Sequence, residues 1–82
     1  MARTEPMPRA ERHFIRIVGL NLRMQREAIG ATQAGVAEWA KVSRSYLAEL
    51  ERGRVNISIL TLWRISVVLV RPLGDMFAAY DW

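Results

Sequence analysis

The 82-residue chain has no cysteine and a single histidine, His13. Without thiols, neither a disulfide nor a thiolate metal site can support the fold, and one imidazole is too few for a structural zinc. The expected setting is therefore a reducing cytoplasm, and no metal or cofactor is expected. Lysine is nearly absent too: of 12 basic residues all but Lys41 are arginine. No stretch approaches the ~20 apolar residues of a membrane span, and no apolar run follows the basic opening MARTEPMPRAER to make a signal peptide. Also missing are a carboxylate pair, a nucleophile beside a base, a phosphate-cradling glycine loop and a ligand cluster. An enzyme is not expected.

What the chain does have is a formal net charge of +4 and a pI near 10.7. Arginine grips phosphates and guanine edges with two parallel donors, so a polyanionic partner such as double-stranded DNA suits this balance. Length allows one domain with a small core. Pro6 and Pro8 mark residues 1–12 as a flexible arm, leaving residues 13–82 as the folded unit.

Within that unit the apolar periodicity is helical throughout. A first helix, starting at Ala10 or His13 and ending at Ile29, runs through Phe14, Ile17, Val18 and Leu22, with Gly30 as its stop. Residues 33–52 read as a helix, a tight turn and a second helix. Ala37 suits the closest approach of the pair, since a larger side chain would push the helices apart. Val36, Ala40, Val42, Leu47 and Leu50 turn inward, so Arg44, Ser45, Tyr46, Ala48, Glu49 and Arg52 face out. Thr32 and Ser43 supply N-caps. After a loop at 53–57, Ser58 caps a fourth helix with an inward stripe of Ile59, Leu62, Ile65 and Leu69. Pro72 then opens a last short helix ending near Tyr80. The run Val67-Val68-Leu69-Val70 favours strand in isolation, but the flanking helical period outweighs it.

Thr32-Gln33, Val42-Ser43-Arg44-Ser45-Tyr46-Leu47, Leu50-Glu51-Arg52-Gly53 and Pro72-Leu73-Gly74-Asp75-Met76-Phe77 stand in the order and spacing of a known family. The chain resembles the Cro/repressor-type, or Xre-like, helix-turn-helix proteins over residues 14–77. Arg44 with Tyr46, then Leu-Glu-Arg and Asn-Ile-Ser, make it most similar to the controller proteins of restriction-modification systems. The resemblance implies an all-α, compact five-helix lambda-repressor-like DNA-binding domain with the motif at helices 2 and 3. It also implies a structural salt bridge between Arg26 and Glu51, which takes Glu51 off the binding face. The chain departs from the family pattern at four places. Lys41 stands where glycine is frequent because φ tends to be positive, Gln25 where an apolar residue is common, Ala31 where a larger one is usual, and Val55 where controllers often carry arginine.

A helix in the major groove reads base edges with the side chains nearest its N-terminus. Arg44, donating twice to guanine, is the first candidate for a base contact and Ser45 the second. Tyr46 has three outlets, a thymine methyl, a phosphate or its own helix, and Glu49 either accepts from cytosine or repels wrong sequences. Phosphate contacts are expected from Thr32 and Gln33 at the start of one helix, from Ser43 at the start of the next, and from Arg52, Arg54 and Asn56 beyond it. Leu60, Trp63, Val67, Val70, Phe77, Tyr80 and Trp82 make more apolar surface than a small monomer comfortably buries. A homodimer through the fourth and fifth helices is expected, reading a pseudo-palindrome. The leading reading is a sequence-specific transcriptional regulator of the nucleoid that acts by its position relative to RNA polymerase, in a restriction-modification controller role. The alternatives are the antitoxin of a toxin-antitoxin pair, its apolar surface holding the toxin protein, and a protein-interaction module that kept the fold.

Overall fold

A computed structural model describes residues 9–80; residues 1–8 of the expected arm, and Trp82 of the expected dimer surface, lie outside the described residues. Four α-helices follow one another: α1 (Arg9–Ala28), α2 (Gln33–Ala40), α3 (Arg44–Glu51) and α4 (Ile59–Val68). The fifth element is a 3₁₀ helix, Leu73–Phe77, rather than the α-helix expected to reach Tyr80. Five residues led by a proline are too few to sustain an α-helical ladder, and the segment closes tighter turns instead, with Asp75 N–H donating to Pro72 O at 3.0 Å. At the other end, residues 9–12, placed by expectation in the arm, belong to α1. Ala10, Glu11 and Arg12 are good helix formers, and Glu11 lies in the first turn where a negative charge complements the dipole.

The helix boundaries fall where short-range chemistry puts them. Gly30 takes φ +72°, a left-handed value that ends α1. Thr32, Ser43 and Ser58 each accept a backbone N–H, from Gly35, Tyr46 and Thr61, all at 3.0 Å. Lys41 adopts φ 64° and ψ 39°, so the turn of the motif does require the left-handed conformation that the lysine there predicts to be strained. For a side chain with Cβ this costs about 1 kcal/mol.

Val18 and Leu22 of α1, Val36, Ala37 and Ala40 of α2, Leu47 and Leu50 of α3, and Leu62, Ile65, Leu69 and Met76 form one buried core. Gly19 lets α1 cross the end of α3, since a Cβ there would collide with the carbonyl oxygens of Leu50 and Glu51. Ile59 departs from expectation: it is 66% exposed while Leu62, Ile65 and Leu69 are buried. At about 100° per residue Ile59 lies a quarter-turn from the mean direction of those three, and it joins Leu60, Trp63 and Val67 on the outer side of α4.

Two polar residues of α1 hold the 3₁₀ segment. Asn21, buried, donates through Nδ2 to Met76 O at 3.0 Å and Ala78 O at 2.8 Å, and Gln25 Nε2 donates to Asp75 O at 3.0 Å. Gln25 thus occupies a usually apolar position because it pins a neighbouring segment, although its Oε1 is buried without a partner. Phe77 and Tyr80, expected on the dimer surface, instead pack within the chain. Their rings lie 5.9 and 5.0 Å from that of Phe14. Both also line an apolar cavity of about 550 Å³ between α1 and the 55–57 loop. Of the expected dimer residues described, Leu60, Trp63, Val67 and Val70 remain more than half exposed.

Candidate nucleic-acid interface

The outward side of α3 follows from its inward side. Leu47, Leu50 and Glu51 are buried, which turns Arg44, Ser45, Ala48, Glu49 and Arg52 toward the opposite, open side. Arg44 and Ser45 are exposed at the first turn, and the Arg44 side chain makes no hydrogen bond or ion pair among the described residues. A free guanidinium at the tip of an exposed helix can take a guanine edge without first breaking an internal bond.

Tyr46 is different. Its ring packs against the core and its hydroxyl donates to Asn56 O at 3.1 Å. The structure ties Tyr46 into the scaffold, with its hydroxyl given to the loop after α3 rather than left free for one of its three outlets, and the same bond occupies the Asn56 carbonyl. Glu49 also has internal partners, lying 3.5 Å from Arg52 Nη1 and 3.6 Å from Arg54 Nη1. Both arginines are well exposed and Glu49 is partly so, and the distances are long, so these pairs are worth only about 0–1 kcal/mol and yield readily to phosphate.

The expected bridge between Arg26 and Glu51 is present and bidentate. Arg26 Nε donates to one carboxylate oxygen at 2.7 Å and Nη2 to the other at 3.0 Å, while Nη1 donates to Ala31 O at 2.8 Å. The Glu51 hydrogen bond, opposed by burial, raises the Arg26 pKa above its ordinary value. Gln33 is a third member, donating through Nε2 to Glu51 Oε1 at 3.0 Å. Its side chain, expected to clamp a phosphate, is thus engaged in the scaffold. What it leaves for an anion is backbone: Gly35 and Val36 N–H are used by Thr32, whereas no intrahelical bond uses those of Gln33 and Ala34. The start of α3 repeats the arrangement, with Tyr46 and Leu47 N–H on Ser43 and those of Arg44 and Ser45 open. The hydroxyls of Thr32 and Ser43 accept in these caps and keep their own hydrogens to donate. Sequence reasoning missed that Gln33 completes the bridge, and the signal lay only in the docking of α2 against α1 and α3.

Comparison with known proteins agrees with this geometry. A family model described as a helix-turn-helix domain matches residues 17–72. The immunity repressor protein of Bacillus phage phi105 is 42% identical over 52 residues, which is 63% of this chain but only 36% of the repressor. An HTH-type transcriptional regulator of Sinorhizobium fredii is 37% identical over 54 residues, 66% of this chain and 70% of that protein. Among solved structures, the restriction-modification controller protein C.AhdI from Aeromonas hydrophila superimposes with a TM-score of 0.75 at 28% identity, covering 77% of this chain and 96% of that one.

Proposed function

This chain belongs to the helix-turn-helix domain family of transcriptional regulators, and on that premise we propose that it binds a specific operator in double-stranded DNA as a homodimer. The observation that carries the reading is the state of α3. Its first turn presents Arg44 and Ser45 unobstructed, while the Arg26–Glu51–Gln33 network locks its far end to α1 and α2. A base-reading helix needs both properties, since discrimination depends on holding donors in register with base edges. Arg44 reads a guanine and Ser45 a neighbouring base. Thr32, Ser43 and the open N–H groups at the starts of α2 and α3 take backbone phosphates, as do Arg52 and Arg54 once released from Glu49.

Dimerisation rests on α4. Ile59, Leu60, Trp63 and Val67 are each at least half exposed and span about 100° of the helix, a width typical of a face that packs on a partner. A two-fold dimer paired through this face reads successive major grooves if its two copies of α3 match their spacing of about 34 Å. The likeness to C.AhdI over nearly its full length supports a restriction-modification controller role, with activation or repression set by operator position. In the antitoxin reading the same α4 face would seat a toxin instead. No helix among the described residues is long and apolar enough to cross a membrane, and the site of action we propose is the nucleoid in the cytoplasm.

Selection of bound DNA from random duplexes tests the proposal. The expected product is a two-fold symmetric motif, weakened by Arg44→Ala by about 1–3 kcal/mol with specificity relaxed at one position of each half-site. Absence of any enriched sequence would overturn it.

A further inference from the structure

Beside the presented side of α3 lies an open polar cleft of about 230 Å³. Three helices line it: Arg23 and Glu27 of α1, Gln33 of α2, and Ala48 of α3 with Arg52 at its end, above the buried Arg26–Glu51 bridge. Three guanidinium groups thus face two carboxylates, an excess of one positive charge. Arg26 is not free to serve a ligand, because all three of its nitrogens are engaged by Glu51 and Ala31. Arg23 and Arg52 differ. Each holds a carboxylate through a single nitrogen, Arg23 Nε on Glu27 at 3.2 Å and Arg52 Nη1 on Glu49 at 3.5 Å, and their side chains are 60% and 62% exposed. Both terminal nitrogens of Arg23 are without a partner among the described residues.

The position of the cleft says what would enter it. Ala48 and Arg52 are four residues apart on the side of α3 that faces the groove, and Gln33 begins α2, whose first two N–H groups are unused. A helix lying in the major groove is flanked by sugar-phosphate backbone, and the cleft lies between the presented side of α3 and the first residue of α2, beside any such helix. The short side chain of Ala48 leaves the entrance open. We propose that this cleft seats a DNA phosphate and that Arg23, ten residues before the helix-turn-helix motif, is one of its ligands together with Arg52. Glu27 orients Arg23 toward the cleft through Nε and at the same time offsets part of its charge. The inference rests on the DNA-binding reading above and adds to it a contact from α1.

The test is the salt dependence of binding to the selected operator and to an unrelated duplex. Arg23→Gln should lower the slope of log K against log[salt] by about 2 for the bound dimer on both duplexes, because one fewer counterion is released per protomer. Its affinity deficit should therefore shrink about 12-fold between roughly 50 and 200 mM salt, with the melting curve unchanged. Glu27→Gln should act in the opposite direction, tightening binding and steepening the slope, and the Arg23→Gln/Glu27→Gln pair should resemble Arg23→Gln alone. Arg71→Gln, which removes the same charge beside Asp75 and away from α3, is the control and should leave the slope as it was. Wild-type slope in both Arg23→Gln and Glu27→Gln, or an equal drop in Arg71→Gln, overturns the assignment while DNA binding stands. A wild-type chain with no salt-dependent binding would instead remove the reading on which it rests.

Discussion

Replacing Glu51 by alanine strips the carboxylate from the bridge that joins all three helices of the binding surface. The Glu51 side chain is only 3% exposed and that of Arg26 12%. The variant leaves Arg26 Nε and Nη2 and Gln33 Nε2 without their acceptor. Removing one partner of a buried pair typically costs about 3–5 kcal/mol. Two features place this case at the low end. Arg26 keeps its bond to Ala31 O, and the cleft beside it admits water, so the expected loss is about 3 kcal/mol. In a domain of this size each kcal/mol moves the melting temperature by about 4–8 °C, which makes the expected drop about 12–24 °C. Glu49→Ala provides the contrast, since its pairs are long and exposed and it should lose no more than about 0.5 kcal/mol. Circular-dichroism melts of both variants and wild type, at one protein concentration because dimerisation couples to stability, decide the matter. The double replacement Arg26→Met/Glu51→Leu should recover much of the loss, because it removes the stranded charge. Equal melting temperatures for Glu51→Ala and Glu49→Ala would refute the reasoning.

Lys41→Gly should raise stability by up to about 0.5 kcal/mol in urea unfolding, relief of about 1 kcal/mol of strain at the left-handed lysine being partly offset by the entropy of a new glycine; a destabilised variant would mean the turn is not strained. Tyr46→Phe should lower stability by about 1 kcal/mol through loss of the bond to Asn56 O, yet leave the selected DNA motif unchanged, whereas an altered motif would return Tyr46 to the reading surface. Trp63→Glu should convert a dimer into a monomer in sedimentation at tens of micromolar and weaken operator binding, with the fold intact by circular dichroism. A wild-type chain that sediments as a monomer under the same conditions would rule out the α4 dimer.

The legible part of this protein was short in range. Thr32, Ser43 and Ser58 as caps and Gly30 as a stop each depend on a backbone group within a few residues, so residue type and spacing suffice to find them, whereas the left-handed turn at Lys41 was legible only from the glycine frequent there in the family it resembles. The inward positions of α2 and α3 followed from helical periodicity, which leaves Arg44 and Ser45 outside by subtraction. The Arg26–Glu51 bridge was legible only through family resemblance. Nothing in the local sequence of either residue names the other across 25 positions.

Docking decided the rest. Ile59 has the residue type of a core position, but burial depends on the direction from which α2 and the 3₁₀ segment approach α4, and they approach about a quarter-turn away. Phe77 and Tyr80 looked like dimer residues until the chain turned at Pro72 and brought them onto Phe14, over 60 residues earlier. The phenol of Tyr46 found a carbonyl in the loop ten residues on, and Gln33 found Glu51, because those groups became neighbours only when the helices packed. The sequence by itself therefore determined the helices, their caps and the residues that α3 presents, since these obey backbone-local rules. Tertiary structure alone decided which polar side chains are already engaged and which remain to meet DNA, because a hydrogen-bond partner is chosen by proximity in space.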